Sequence, residues 1–112
     1  MPKSDLGKVY EDGEIIIRQG EMGDSLYVIL EGQVEVLLFQ EMDTKRLNVL
    51  DEGDFFGEMG IFDASARSAT VRAIGRTRVL TVDKKTLLHR LQEDPSLALH
   101  FLQTLSSRLR FR

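Results

Sequence analysis

Residues 53–71, GDFFGEMGIFDASARSATV, interrupt a chain whose other segments have the alternation and glycine punctuation of β-structure. The segment fits neither a regular strand nor a long helix, although Gly57 to Phe62 could form about one helical turn. Its glycines at positions 53, 57 and 60 would let the backbone approach a ligand closely. The N-terminus of a short helix and the planar fork of Arg67 both suit an anion, so the segment predicts an anion-binding turn.

The same turn carries a carboxylate, Glu58. A carboxylate beside an anion site is repulsive unless it has hydrogen-bond donors of its own. A pair of sugar hydroxyls or a second arginine would supply them, which favours a phosphorylated sugar as the ligand. The alternative is a surface turn in which Glu58 and Arg67 form an ordinary ion pair worth about 0–1 kcal/mol.

Short strand-like runs lie on both sides of this turn. They are separated by expected turns at Glu31-Gly32, Asp43-Thr44 and Gly75. This spacing predicts an all-β sandwich or barrel of about eight strands. The runs are Glu14–Arg18, Ser25–Leu30, Gln33–Phe39, Lys45–Leu50, Thr70–Ile74 and Arg78–Val82.

The hydrophobic period changes after Asp83, which can cap a helix carrying Leu87, Leu88 and Leu91. Asp94-Pro95 then gives an N-cap followed by proline at the first helical position. The second helix has an apolar stripe at Leu97, Phe101, Leu105 and Leu109. We therefore predict a mainly β fold, with a sandwich or barrel over about residues 9–82 and C-terminal helices over about 84–111.

Length and composition narrow the class of protein. The 112 residues predict a single domain over 1–112. The absence of cysteine excludes disulfides, thiolate metal sites and cysteine catalysis within this chain. A net charge of -3 argues against a dedicated nucleic-acid binder. No apolar run suits a signal peptide or a membrane span, so a cytoplasmic location without membrane contact is expected.

Two blocks of residues resemble the cyclic nucleotide-binding domain family, which includes the catabolite activator proteins, the regulatory subunits of cyclic-AMP-dependent kinase and cyclic-nucleotide-gated channels. The resemblance runs from about Val9 to the end and implies a jelly-roll-like β-roll. The first block comprises Gly13-Glu14-Ile15-Ile16, Gly20, Gly23-Asp24, Leu26-Tyr27-Val28-Ile29, Gly32, Val34 and Val36. The second, the family's phosphate-binding cassette, comprises Phe56-Gly57-Glu58-Met59-Gly60 and Arg67-Ser68-Ala69-Thr70-Val71.

The resemblance implies a role for each cassette residue. Glu58 would accept the ribose 2′-hydroxyl and Arg67 would pair with the cyclic phosphate. Gly57 and Gly60 would admit the backbone, with the Gly60 N–H near the phosphate, and Ser68 would donate its backbone N–H. The implied ligand-binding residues are Gly57, Glu58, Met59, Gly60, Arg67, Ser68 and Ala69. Both charged residues are present, so we expect a site that can bind its ligand.

The base contacts stay open at this stage. Contacts to the base would come from Thr104, Ser107, Arg108 or Arg112, and an apolar lid from Phe101, Leu105 or Phe111. Spacing also suggests that Arg108 reaches Glu58 and links the ligand to the helix. Ser68 is compatible with either cyclic AMP or cyclic GMP, and we prefer cyclic AMP.

The resulting expectation is a non-catalytic regulatory sensor that needs no metal or other cofactor. The chain ends near the point where transcription-factor relatives continue into a dimerisation helix, so we expect the receptor part to be nearly complete. Output would need a homodimer, a separate effector protein or a longer protein of which this chain is a fragment. One alternative is a β-roll interaction or dimerisation protein that no longer binds nucleotide. The other, a cupin-type metal enzyme, needs histidines on the barrel strands, whereas His89 and His100 lie in the helices. The basic tail of Arg108, Arg110 and Arg112 is interpreted as a helix end that complements the dipole, not as a DNA contact.

Overall fold

The computed structural model describes residues 7–58, 60 and 66–110, with side chains up to residue 108. About half of the described chain is antiparallel β-sheet, which is followed by two helices, and this confirms the predicted fold class. The strands are β1 (Lys8–Tyr10), β2 (Ile15–Ile17), β3 (Ser25–Gln40), β4 (Asp43–Leu50), β5 (Phe55–Phe56) and β6 (Thr70–Asp83); the helices are α1 (Lys84–Glu93) and α2 (Pro95–Arg110).

Two long strands form the centre of the sheet. β3 pairs with β6 from Ser25↔Asp83 to Leu37↔Thr70, in antiparallel register. The sheet order is β1-β6-β3-β4, with β2 paired to β6 and β5 paired to β3. The short strands β1, β2 and β5 therefore attach to the two longest strands of the fold.

The structure corrects two of the predicted turns. Glu31-Gly32 lies within β3, and Gly75 lies within β6. At Gly32 φ is +91°, and a Cβ there would lie 2.7 Å from the Arg76 carbonyl oxygen. The chain bends at this glycine with a register shift against β6 instead of reversing. The short runs predicted on either side of each glycine are therefore continuous, and the described residues contain six strands instead of about eight.

The third predicted turn is wrong by two residues. Gln40 pairs with Asp43, so β3 and β4 are joined by the two-residue turn Glu41-Met42. Asp43 and Thr44 already belong to β4. Asp43 has the turn chemistry that suggested this position, but its carboxylate accepts a hydrogen bond from the Thr44 N–H at 2.8 Å at the start of the strand.

Two hydrophobic clusters meet at β5. One lies within the roll and contains Ile17, Ile29, Val34, Leu50, Phe56, Val71 and Val79; the other lies against the helices and contains Leu26, Phe55, Leu87 and Phe101. Successive side chains of a strand point to opposite faces, so Phe55 and Phe56 anchor β5 in both clusters. The cassette residues Gly57 and Glu58 directly follow β5, so the packing of this strand fixes the position at which their backbone begins.

Both helices begin where the sequence predicts. Asp83 accepts a hydrogen bond from the Thr86 N–H at 2.8 Å, and Asp94 accepts one from the Leu97 N–H at 3.2 Å. Phe101 is buried, whereas Leu99 and Leu102 of α2 are 57% and 63% exposed. Neither helix within the described residues has the length and apolarity that a membrane span requires.

Candidate functional site

The backbone around Arg67 pairs with the loop between β2 and β3. The Arg67 N–H donates to the Glu21 carbonyl at 2.8 Å, and the Gly20 N–H donates to the Arg67 carbonyl at 2.8 Å. Met22 and Ala66 form an isolated antiparallel bridge beside them. Arg67 thus lies on a short extension of the sheet just before β6 begins.

The Arg67 guanidinium is fixed by two backbone carbonyls from different parts of the chain. Nη1 donates to the Gly57 carbonyl and Nη2 to the Ser25 carbonyl, both at 2.9 Å. Arginine carries five N–H donors in a fixed fork, so further donors remain for an anion. Both of these acceptors are neutral, so neither of them neutralises the positive charge of the guanidinium.

Three glycines surround this guanidinium. A Cβ at Gly23 would lie 2.5 Å from Arg67 Nη2, and a Cβ at Gly60 would lie 2.6 Å from Nη1 and 2.7 Å from the Gly23 carbonyl oxygen. Gly57 has φ +79°, a conformation that favours glycine. Positions 23 and 60 therefore require glycine mainly because the Arg67 side chain occupies the space that a Cβ would need. The Gly60 N–H, which the resemblance places beside a phosphate, donates here to the Gly57 carbonyl at 3.1 Å.

Glu58 pairs with an arginine of α2. Its Oε2 lies 3.0 Å from Arg108 Nη1, and the two side chains are 13% and 24% exposed. Arg108 Nη2 also donates to the Phe55 carbonyl, and the guanidinium carbon lies 4.5 Å from the centre of the Phe55 ring. The contact that the spacing suggested is present, and the alternative of an ordinary Glu58–Arg67 pair is wrong. Arg108 is the second arginine that a carboxylate at this position requires.

The other residues predicted for the ligand site do not lie together in the structure. Phe101 stacks on Phe55 with ring centres 4.8 Å apart and is buried in the core, and Leu105 packs partly buried against the same cluster. Ser68 is exposed and Ala69 half-buried just before β6. Thr104, Ser107 and Arg108 line one open cleft of about 350 Å³, together with Leu50, Asp54, His100 and Gln103. The predictions for Met59, Phe111 and Arg112 lie outside the described residues.

Sequence reasoning missed the contributions of Ser25, Gly23 and Phe55. Ser25 and Phe55 act through their carbonyl groups, which every residue possesses. Gly23 belongs to the first block of the resemblance, but that pattern does not indicate that its lack of a side chain makes room for Arg67. No sequence signal distinguishes these roles, because they depend on segments that meet only in the folded chain.

Comparison with known proteins identifies the family. The family model for the cyclic nucleotide-binding domain matches residues 7–94. A cAMP-dependent protein kinase regulatory subunit from Mucor circinelloides is 37% identical over 76 residues, covering 68% of this chain and 18% of that protein. The cGMP-dependent protein kinase egl-4 of Caenorhabditis elegans is 40% identical over 80 residues, covering 69% of this chain and 10% of that protein.

A solved structure shares the fold. The catabolite activator protein of Thermus thermophilus superposes with a TM-score of 0.82 at 30% identity, covering 92% of this chain and 49% of that one. The chain therefore belongs to the cyclic nucleotide-binding domain family. It spans less than a quarter of the length of the curated relatives named here.

Proposed function

We propose that this domain binds a cyclic nucleotide, preferentially cyclic AMP, and acts as a non-catalytic regulatory sensor. The observation that supports this best is the placement of Arg67. Its charge is met only by neutral carbonyls in the contacts described for it, and the adjacent carboxylate is neutralised by a different arginine. A site built in this way favours a monoanion carried on a sugar.

In this proposal the cyclic phosphate accepts hydrogen bonds from the Arg67 N–H groups that do not donate to the two carbonyls. The Gly57 and Ser25 carbonyls hold the fork in place, so little side-chain entropy is lost when the anion arrives. The backbone N–H of Ser68 would donate to the same phosphate, and the small side chain of Ala69 would leave room for it. Desolvation strengthens the charge-assisted bonds, because the site is partly buried.

The ribose 2′-hydroxyl would donate to Glu58. One carboxylate oxygen is engaged by Arg108, and a carboxylate has further acceptor sites on both oxygens. Ligand and helix then share one carboxylate, so binding changes the environment of the Glu58–Arg108 pair. This is the route by which the proposed sensor passes its signal to α2.

The base would extend toward the cleft lined by Thr104, Ser107 and Arg108. The relatives named above include both a cAMP-dependent and a cGMP-dependent kinase protein, so cyclic GMP is the competing ligand.

Output would pass to a second copy or to a separate effector protein, and exposed Leu99 and Leu102 on α2 offer apolar contact area. A cytoplasmic location completes the proposal and is compatible with a cysteine-free chain.

Isothermal titration with cyclic AMP and with cyclic GMP tests the proposal. We expect one site per chain, with tighter binding of cyclic AMP. Losing charge-assisted bonds should weaken binding of the Arg67→Ala variant by about 10- to 100-fold. Arg67→Lys should recover only part of this, because an ammonium lacks the planar fork.

Arg76→Ala is the matched control, since Arg76 is an exposed arginine of β6 outside the cassette. Its affinity should equal that of the wild type. Failure of the wild type to bind either nucleotide would refute the sensor and favour the interaction protein that no longer binds nucleotide.

A further inference from the structure

The side-chain amide of Gln19 makes a two-way hydrogen-bond exchange with Phe39 at the far end of β3. The Phe39 N–H donates to Gln19 Oε1 at 2.9 Å, and Gln19 Nε2 donates to the Phe39 carbonyl at 3.2 Å. This is the pattern that two residues of adjacent antiparallel strands make with their backbones. The Gln19 side chain thus substitutes for a strand residue opposite Phe39.

The position of this exchange explains why a side chain is needed. Backbone pairing of β3 with β6 ends at Leu37↔Thr70, two residues before Phe39. The Gln19 N–H donates to the hydroxyl of Thr70 at 2.9 Å, and Thr70 is 1% exposed. Gln19 is therefore fixed at the first residue of β6 by its backbone and continues the sheet edge with its amide.

The residues that follow Gln19 hold Arg67 directly. Gly20 donates to the Arg67 carbonyl, and the Glu21 carbonyl accepts from the Arg67 N–H, both at 2.8 Å. The hydrogen bonds described for Gln19 reach only Thr70 and Phe39, and neither of these residues is assigned to the ligand. A displacement of Gln19 would still move the backbone on which the guanidinium depends.

We propose that Gln19 is a positioning residue for Arg67. Its amide clamps the loop of residues 18–22 to β3, and that loop holds the Arg67 backbone so that the guanidinium stays between the Gly57 and Ser25 carbonyls. The same clamp ties the β3–β4 hairpin to the cassette. The effect on affinity rests on the function proposed above, whereas the positioning of Arg67 does not.

The clamp needs both a donor and an acceptor, which allows a sharp test. Gln19→Met keeps the length of the side chain and removes both groups. Gln19→Glu keeps the acceptor for the Phe39 N–H but presents an ionised oxygen to the Phe39 carbonyl. Protonation of the substituted carboxyl restores a donor. A role in the clamp therefore predicts recovery at low pH in Gln19→Glu alone.

The experiment uses NMR on the full chain, with hydrogen exchange of the Gly20 and Arg67 amides, the Arg67 Nε–H signal and the affinity for cyclic AMP. In Gln19→Met, we expect about ten-fold faster exchange of both amides, a shifted or broadened Arg67 Nε–H signal and about ten-fold weaker binding. Gln19→Glu should behave like Gln19→Met at high pH and approach the wild type as the carboxyl protonates. Gln92→Met, at an exposed position of α1, is the control and should change none of these values.

The wild type measured at each pH corrects for other titrating groups, including the Arg18–Glu21 pair of the same loop. Unchanged amide exchange and an unchanged Arg67 signal in both Gln19 variants would overturn the inference. Recovery at low pH in Gln19→Met as well as in Gln19→Glu would also overturn it. If the wild type binds no cyclic nucleotide, the proposed function fails, while the exchange rates and the Arg67 signal still decide whether Gln19 positions Arg67.

Discussion

Arg67 sets the requirements on several residues that surround it. Its fork is held by two carbonyls, and Gly23 and Gly60 leave the space that it occupies. A neutral carbonyl fixes the side chain without cancelling its charge, which a carboxylate would do. The residues around the guanidinium therefore combine rigidity with an unneutralised charge, as an anion site requires.

Gly23→Ala tests this arrangement. The new methyl would collide with the end of a flexible side chain, so the guanidinium moves and the backbone stays. We expect the free energy of unfolding to fall by less than about 1 kcal/mol. Cyclic AMP affinity should fall at least about ten-fold, because the displaced fork loses charge-assisted bonds. Titration calorimetry and urea denaturation measure the two quantities.

Gly53→Ala is the opposite case and serves as the control. Gly53 has φ +90° and no atom within 4 Å of an added Cβ, so its substitution strains the backbone without reaching the site. It should lower stability by about 1–2 kcal/mol and leave affinity unchanged. Equal affinities in Gly23→Ala and the wild type would contradict the role given to Gly23.

At the level of secondary-structure elements, one carboxylate joins three strands. Glu35 of β3 accepts from Arg46 of β4 and from Arg72 of β6, and each ion pair measures 2.9 Å. Burial opposes ionisation of Glu35, but the hydrogen bonds and charges of the two arginines outweigh it, so the pKa of Glu35 is lowered. The ionised form is thus favoured by folding.

This shift predicts how stability depends on pH. A carboxyl whose pKa is lower in the folded state stabilises the fold above its ordinary value of 4.5. That contribution is lost as pH falls through the lower folded pKa. Glu35→Gln should therefore be less stable than the wild type by about 1–2 kcal/mol at pH 7, a value reduced by the exposure of both arginines. The difference should shrink below pH 4.5.

Urea denaturation at a series of pH values measures this difference. Glu41→Gln, in the exposed β3–β4 turn, is the matched control and should follow the wild type throughout. A stability difference for Glu35→Gln that stays constant from pH 7 to pH 3 would show that the lost packing, and not the ion pairs, causes it.

Strand identity could be predicted from the sequence, but strand length could not. The alternation in Gln33–Phe39 and the β-branched residues of Thr70–Val82 mark strands correctly. Gly32 and Gly75 were interpreted as turns because glycine permits a reversal and a bend alike. Only pairing between β3 and β6 makes these positions bends.

At the scale of the whole molecule, Arg108 connects the last helix to the cassette. It contacts Glu58 and the Phe55 carbonyl, which lie about fifty residues earlier in the chain. Phe101 of the same helix stacks on the Phe55 ring. If a ligand binds Glu58 as proposed above, it would therefore act on the docking of α2. Such coupling is reciprocal, so helix docking also affects ligand affinity.

Arg108→Ala should weaken both the docking of α2 and the binding of the ligand. We expect faster hydrogen exchange in the C-terminal half of α2 and a change in cyclic AMP affinity of about ten-fold. Ser106→Ala, at an exposed position of the same helix outside the lining of the cleft proposed for the base, is the control. Unchanged exchange and unchanged affinity in Arg108→Ala would show that the Glu58–Arg108 pair does not couple helix and site.

Local sequence patterns were sufficient to predict the fold class, the caps of both helices and the two charged residues on which the site hypothesis depends, Glu58 and Arg67. These features are local, since periodicity, capping and motif spacing act over a few residues. Tertiary structure alone decided that carbonyls hold Arg67, that Arg108 neutralises Glu58 and that the Gln19 side chain extends the sheet. Those contacts join segments far apart in the chain and often use backbone groups, which are the same at every position and leave no trace in the sequence.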